Sequence, residues 1–310
     1  MRILVIGAGG TGGYFGGRWA EAGHDVTLLA RGAHLEAIRA HGLMLLTPGG
    51  DVRAAVRATA DPASVGPVDL VLVATRTWQL EDAVRPFAPL LARGTPVLGV
   101  QNGVESPAML AACLPQAHVL GGTCRIMAFI EGPGVIRHGG IAPVITLGEL
   151  TGGTSPLVDQ LVRELDLGDR LRMIASDDIV RELWRKFLFF APASGMGSIT
   201  RSPIGEWRAV PESRAIAEAA MREVLAVARA RGVALPDDAL PATLAFVDAA
   251  PPTVTSSMQR DFDAGRRTEL EALAGAVHRM GRVAGVPTPV HDLFYCALLP
   301  MELRARQGTA

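Results

Sequence analysis

Short apolar runs bounded by glycine, proline or charge fill the first half of this 310-residue chain, whereas the second half carries longer stretches with apolar residues at helical spacing. Residues 2–6, 25–30, 69–74 and 96–100 read as buried strands, with helices over 13–23, 33–41 and 78–92 among them. Residues 43–46 and 52–56 flank Pro48-Gly49-Gly50-Asp51 and read as a hairpin. Residues 119–148 carry further strands, interrupted at Gly132-Pro133-Gly134 and Gly139-Gly140. After Gly152-Gly153 the pattern turns helical, over 155–165, 178–191, 212–232, 237–249, 257–285 and 290–306. Strands alternating with helices build a mainly parallel sheet wound on both faces, and a chain of this length exceeds one ordinary core. The expectation is an α/β N-terminal domain over 1–170 and an all-α C-terminal domain over 171–310.

Composition narrows the function classes. Apolar residues make up 49% of the chain, ample for packed cores, and the net charge of −1 gives no general attraction to nucleic acid or anionic membrane. Cys113, Cys124 and Cys296 are odd in number and form no CxxC pair, which argues against a disulfide framework or structural zinc and fits a reducing cytoplasm. The apolar start stops at Gly7, too early for a secretory signal, and no run approaches the roughly 18 apolar residues of a membrane span. His24, His34, His41 and His138 fall in loops or surface helices, and His278 has no ligand partner one helical turn away, so no metal site is expected.

Gly7-Ala8-Gly9-Gly10-Thr11-Gly12 matches G-x-G-x-x-G, with a strand entering and a helix leaving. Gly7 suits a tight turn, Gly9 lets the backbone approach a pyrophosphate, and Gly12 allows close helix–strand packing. The pyrophosphate of a dinucleotide would then rest on amides at the positive end of the helix. An enzyme using NAD is expected to carry an acid at the end of the second strand to bind the ribose hydroxyls. Here that strand ends Leu28-Leu29-Ala30-Arg31, and the planar fork of Arg31 suits a 2′-phosphate, which points to NADP.

Of thirty basic residues only one is lysine, Lys186. Arginine stays charged in proteins, so a lysine surviving such a bias is a candidate for releasing a proton. Its segment is apolar around most of the helix, which would partly desolvate the amine. The plainer alternative is a lysine reaching from a core helix to solvent.

Several further segments share an order with a known family. Gly13-Tyr14-Phe15-Gly16, Ala30-Arg31-Gly32, Thr75-Arg76-Thr77-Trp78-Gln79, Gln101-Asn102-Gly103, Glu182-Leu183-Trp184-Arg185-Lys186, Ser256-Ser257-Met258 and Arg267-Thr268-Glu269 together resemble the ketopantoate reductase (2-dehydropantoate 2-reductase) family. The resemblance implies a Rossmann-type domain followed by a helical one, and NADPH-dependent reduction of a 2-keto acid to a 2-hydroxy acid in cytoplasmic pantothenate biosynthesis. It puts Lys186 on the catalytic lysine and Asn102 at the nicotinamide end. It implies cofactor contacts at Gly7, Ala8, Gly9, Gly10, Thr11, Gly12, Arg31, Arg76, Gln79, Asn102, Met127 and Glu269. Substrate contacts would come from Lys186, Asn102, Phe190, Ser194 and Ser257. Read from the residues alone, Asn102 would equally serve a turn, Ser257 a helix cap, and Glu269 a solvated helix surface.

The departures fall on the substrate side. Arg76 stands where well-known members carry lysine, and Phe190, Ser194 and Ile204 stand where the family's substrate asparagines are expected. A site stripped of amide partners binds polar ligands less well, which points to a bulkier or less hydroxylated 2-keto acid than ketopantoate. The rival readings are a two-domain dehydrogenase of 3-hydroxy acids or sugar phosphates, and an NADP-binding sensor without catalysis. The expected partner is a small 2-keto acid, with no nucleic acid or membrane, and the apolar C-terminal helices suit a homodimer.

Overall fold

Alternation along the first strand, β1 (Arg2–Ile6), sets both faces of the main sheet. Ile3 and Val5 point to one apolar layer, Leu4 and Ile6 to the other. The computed structural model describes residues 1–308. By its contacts the chain forms two units, Met1–Gln101 with Ser106–Ile179, and Asn102–Glu105 with the chain from Val180 onward.

In the first unit, β1 is followed by α1 (Gly10–Glu21), β2 (Asp25–Leu29), α2 (Gly32–His41), β3 (Leu43–Leu46), β4 (Val52–Ala54), β5 (Arg57–Thr59) and β6 (Leu70–Val73). Then come α3 (Leu80–Val84), β7 (Pro96–Gly99), α4 (Ser106–Cys113), β8 (His118–Arg125), β9 (Ala128–Gly132), β10 (Val135–His138), β11 (Val144–Glu149), α5 (Pro156–Leu165) and β12 (Arg172–Ala175). The eight-stranded sheet has the order β12-β11-β8-β7-β6-β1-β2-β5 and is parallel except for the β11–β8 pair. Apolar residues of α1, α2 and α5 cover one face and those of α3 and α4 the other. This is the expected doubly wound, Rossmann-type arrangement. A second sheet, β4-β3-β10-β9, includes the anticipated hairpin as β3 and β4.

Helix α1 is held between these two sheets by small residues. A Cβ on Gly16 would lie 2.8 Å from Leu28 of the main sheet, and one on Gly17 would lie 3.0 Å from Leu45 of the small sheet. Gly12 is tightest, since a Cβ there would lie 2.1 Å from the Gly7 carbonyl oxygen. Gly7 itself has φ of +104°, a conformation that favours glycine.

His34 ties this region to the small sheet. The Gly134 N–H donates to His34 Nδ1 at 3.0 Å, and Nε2 lies 2.9 Å from the Ala8 carbonyl. A backbone N–H can only donate, so Nδ1 is the bare nitrogen and Nε2–H donates to Ala8. The bond accepted from Gly134 needs a neutral ring, and burial lowers the pKa of His34 despite the opposing effect of its bond to Ala8.

The second unit holds α6 (Ile179–Thr200) from Val180 onward, α7 (Ile204–Ala209), α8 (Pro211–Ala230), α9 (Ala239–Ala249), α10 (Ser257–Asp263), α11 (Ala274–Ala284) and α12 (Pro289–Gly308) around its own core. No strand is formed there among the described residues.

Several boundaries differ from expectation. The first unit runs past 170 to Ile179 because β12 pairs with β11, and the loop Asn102–Glu105 belongs to the second unit. The helix expected over 178–191 continues through Pro192 to Thr200 and stops at Arg201, which has φ of 54°. Its flanks, Leu188 and Ala191, are buried, so packing outweighs the lost hydrogen bond. The helix expected over 78–92 shrinks to α3 between two 3-10 turns, the second containing Pro86. The helix expected over 257–285 is broken into α10 and α11. Strands β5 and β12 and helices α4 and α7 were not anticipated.

Two outcomes follow. Gly12→Ala forces backbone against backbone and should lower stability by about 1–3 kcal/mol, whereas Gly9→Ala, with nothing within 4 Å of its Cβ, should leave the thermal melt unchanged. Because the folded pKa of His34 is depressed, its contribution is present above about pH 6.5 and is lost as pH falls below that value. Thermal melts should therefore show wild type losing its advantage over His34→Gln on acidification. A difference independent of pH would refute this role.

Candidate active site

One group of candidate residues lies in the first unit, at the carboxyl ends of β1, β2 and β6. The Gly7–Gly12 loop joins β1 to α1, whose first helical residue is Gly10. Gly9 occupies the N-cap and offers no side-chain cap, and the first turn holds no acid. The leading amides are thus not claimed by a capping side chain, an arrangement suited to an anion. A Cβ on Gly7 would meet the Thr75 amide nitrogen at 2.8 Å, and one on Gly10 would meet the Ala128 carbonyl oxygen at 2.2 Å. The turn after β6 and the start of β9 therefore close directly on the glycine loop. Ala8 is buried, Thr11 half-buried, and Ala8 N–H donates to the Leu29 carbonyl of β2.

Arg31 is exposed just past β2, in extended conformation at the N-cap of α2. Arg76 opens the 3-10 turn after β6, with its guanidinium carbon 5.7 Å from the centre of the Trp78 ring. Gln79 ends that turn and is exposed. Met127, between β8 and β9, is exposed, and its carbonyl accepts from the Gly139 N–H at 2.7 Å. These residues fit a dinucleotide: a loop permitting close approach at Gly9, uncapped amides beyond it, and a cation rather than an acid after β2.

A separate group of candidate residues lies in the helical unit. Lys186, Phe190 and Ser194 are spaced one turn apart along α6 and share a face. Lys186 is half-buried, and its Nζ lies 5.5 Å from the centre of the Phe190 ring, whose face attracts the ammonium. The Ser194 hydroxyl is buried with no hydrogen-bond partner among the described residues, and so is that of Ser198, one turn further. Ser256, not Ser257, caps α10 by accepting from the Gln259 N–H at 3.0 Å. The Ser257 hydroxyl is buried and unpartnered, so the capping role is corrected in favour of its neighbour.

Asn102 and Glu269, distant in sequence, meet in one hydrogen bond, Asn102 Nδ2 donating to Glu269 Oε2 at 2.9 Å. Glu269 is buried, which corrects the alternative of a solvated helix surface. Gly103 has φ of +92°, and a Cβ there would meet the Ala272 carbonyl oxygen at 2.8 Å, so this loop packs tightly on the segment carrying Glu269. Ile204 is buried in the core of the second unit, where no ligand group replaces the expected asparagine. His34, Ser198 and Ser256 were missed from sequence. Only Ser256, three residues before Gln259 and ahead of an apolar position, carried a local signal, that of an N-cap.

No helix among the described residues is long and apolar enough to cross a membrane. Comparison with known proteins covers both units. Residues 3–152 match the family model for ketopantoate reductase PanE/ApbA, and residues 178–302 match that for its C-terminal domain. The 2-dehydropantoate 2-reductase of Mesorhizobium japonicum is 33% identical over 94% of this chain and 95% of its own. A PanE/ApbA family ketopantoate reductase from Ralstonia eutropha superposes with a TM-score of 0.90 at 31% identity, covering 99% of this chain and 100% of that one. D-mandelate dehydrogenase, in a ternary structure with NADH and anilino(oxo)acetate, superposes with a TM-score of 0.88 at 25% identity over 99% and 100% of the two chains. With both domain models matched in order over most of its length, the chain belongs to the ketopantoate reductase family of oxidoreductases.

Proposed function

We propose that this protein is an NADPH-dependent reductase of a 2-keto acid whose side chain is more apolar than that of ketopantoate. The observation that carries the reading is the Lys186–Phe190–Ser194 face of α6, where the chain's one lysine adjoins an aromatic ring. When bound, reduced nicotinamide supplies the hydride that a carbonyl carbon accepts. The chain's own task is to hold the substrate and to protonate the oxygen as negative charge develops there. Lys186 is the group assigned to that proton, from Nζ. Ser257 and Ser194 offer hydroxyls to substrate oxygens, since a buried hydroxyl left unpartnered costs about 1–3 kcal/mol that a ligand would recover.

The cofactor would be held by the amides of the Gly7–Gly12 loop, with Arg31 on a 2′-phosphate and Arg76 contributing positive charge. Gln79 and Met127 are assigned to further cofactor contacts, and Asn102 with Glu269 to its nicotinamide side. Asn102 donates to Glu269, so the pair acts as one unit in orienting whatever binds there.

The substrate preference rests on Phe190. A phenyl ring cannot bond a hydroxyl, and a site built without that bond gains little from a hydroxylated substrate. The likeness to a D-mandelate dehydrogenase with a bound aryl oxo acid supports an aromatic or branched aliphatic side chain. Among the described residues there is no cluster of candidate metal ligands, so the reading assigns no step to a metal.

A panel of 2-keto acids assayed for oxidation of NADPH and NADH tests these points. The wild-type chain should prefer aryl or branched 2-keto acids over ketopantoate, and equal or greater kcat/KM on ketopantoate would reject the substrate class. Lys186→Ala should lower kcat about 10²–10⁴-fold while NADPH still binds, and full turnover would reject its role. Arg31→Ala should weaken NADPH by about tenfold or more with little change for NADH; an unchanged cofactor ratio would reject NADP selection at that residue.

A further inference from the structure

A fully buried carboxylate on α12 holds the break between α10 and α11. The Thr268 N–H donates to Glu302 Oε2 at 2.9 Å, and the Thr268 hydroxyl donates to the same oxygen at 2.8 Å. That hydroxyl in turn accepts from the Leu270 N–H at 3.2 Å. The other oxygen, Oε1, accepts from Arg306 Nε at 2.8 Å. Glu302 thereby holds the backbone on which the next residue, Glu269, stands.

The same root reaches the other half of the pair. Arg306 Nη2 donates to Glu271 Oε1 at 3.2 Å, and Glu271 Oε2 accepts from Arg279 Nη1 at 2.9 Å. Arg279 Nη2 donates both to the Glu271 carbonyl and to Glu105 Oε2, each at 2.9 Å. Glu105 lies in the loop that begins at Asn102. Both ends of the Asn102–Glu269 bond are therefore tied into one network centred on the fully buried Glu302.

We propose that Glu302 is a positioning residue, setting the Asn102–Glu269 pair through Thr268 on one side and Arg306 on the other. A buried charge is weak evidence for stability, because an apolar residue of similar volume is often as stable. The geometry Glu302 enforces is the better account of its presence. The consequence for turnover rests on the reading of Asn102 and Glu269 as part of the reductase site.

Glu302→Gln keeps an oxygen for Thr268 but supplies no second acceptor for Arg306. Glu223→Gln in the full chain is the control. Glu223 is another buried carboxylate of this unit, accepting from the Val290 and His291 amides at 2.7 and 3.0 Å at the start of α12. Two readouts are taken, the side-chain amide NMR signals of Asn102, assigned by their loss in Asn102→Asp, and steady-state kinetics with NADPH and the preferred 2-keto acid. Glu302→Gln should shift or broaden the Asn102 signals and lower kcat/KM about 10- to 100-fold. Glu223→Gln should lower the melting temperature yet do neither. Thr268→Val removes the hydroxyl's bonds to Glu302 and from Leu270 without touching the charge and should reproduce the pattern at smaller size, which keeps the test available if the Glu302 variant does not fold. Asn102 signals unmoved by either Glu302→Gln or Thr268→Val overturn the proposal whatever the kinetics. A wild-type chain reducing no 2-keto acid overturns the reductase reading instead, while the NMR signals still decide the positioning.

Discussion

The approach of Gly12 to the Gly7 carbonyl is the constraint on which the nucleotide end depends. With no Cβ between them, the first turn of α1 folds down over the loop that leads into it. Once α1 is seated there, its other small positions fix its neighbours. Gly16 meets the main sheet and Gly17 the small one, so the helix is gripped from two sides. Rotating α1 to open the loop would break both contacts together. Ala128 then packs its carbonyl against Gly10 and His34 bridges Ala8 to Gly134, so the small sheet braces the loop from outside. Binding amides held by packing need little reorganisation when an anion arrives, which is how such a loop gains affinity without a charged side chain.

The second unit solves a different problem by different means. A helix break is needed to present Glu269, and packing alone does not specify a non-helical backbone, because its amides must find partners. Glu302 supplies an acceptor for the Thr268 amide where no carbonyl is in register. Glu223 does the same at the start of α12, accepting from Val290 and His291. In both places a buried acid stands in for the missing turn of helix. In one of them the residue next to the tethered amide reaches a candidate site.

The sequence made some of this legible and hid the rest for identifiable reasons. Strands β1, β2, β6 and β7 are short and almost wholly apolar, so their burial pattern could be seen locally. The glycine motif was readable because each glycine has a local reason, such as the positive φ of Gly7. The break at 264–273 was not readable, since the acid that enforces it lies on α12 and apolar spacing continues across the gap. The run of α6 through Pro192 was hidden likewise, because local chemistry argues for a stop and only the buried surroundings reverse it. Lys186 stood out through composition, Asn102 was locally as consistent with a turn as with a ligand, Glu269 was singled out only through resemblance, and the bond between the last two spans a separation that no local pattern encodes.

Helix periodicity explains how this arrangement can keep its chemistry while changing what it binds. Lys186, Phe190 and Ser194 stand one turn apart on one face of α6, so a ligand lying along that face meets them in succession. The amine sits at one end of the series, and the side chains beyond it can vary without moving its backbone. Replacing an amide by a ring at 190 removes a bonding partner but gives the ammonium an aromatic face to rest against, at 5.5 Å. On the proposed reading, the exchange would trade recognition of a polar substrate for apolar contact area and leave Lys186 supported. On that same reading, position along the axis of α6 would set specificity, and proton transfer would fall to Lys186, which stands between an exposed Arg185 and a buried Phe187.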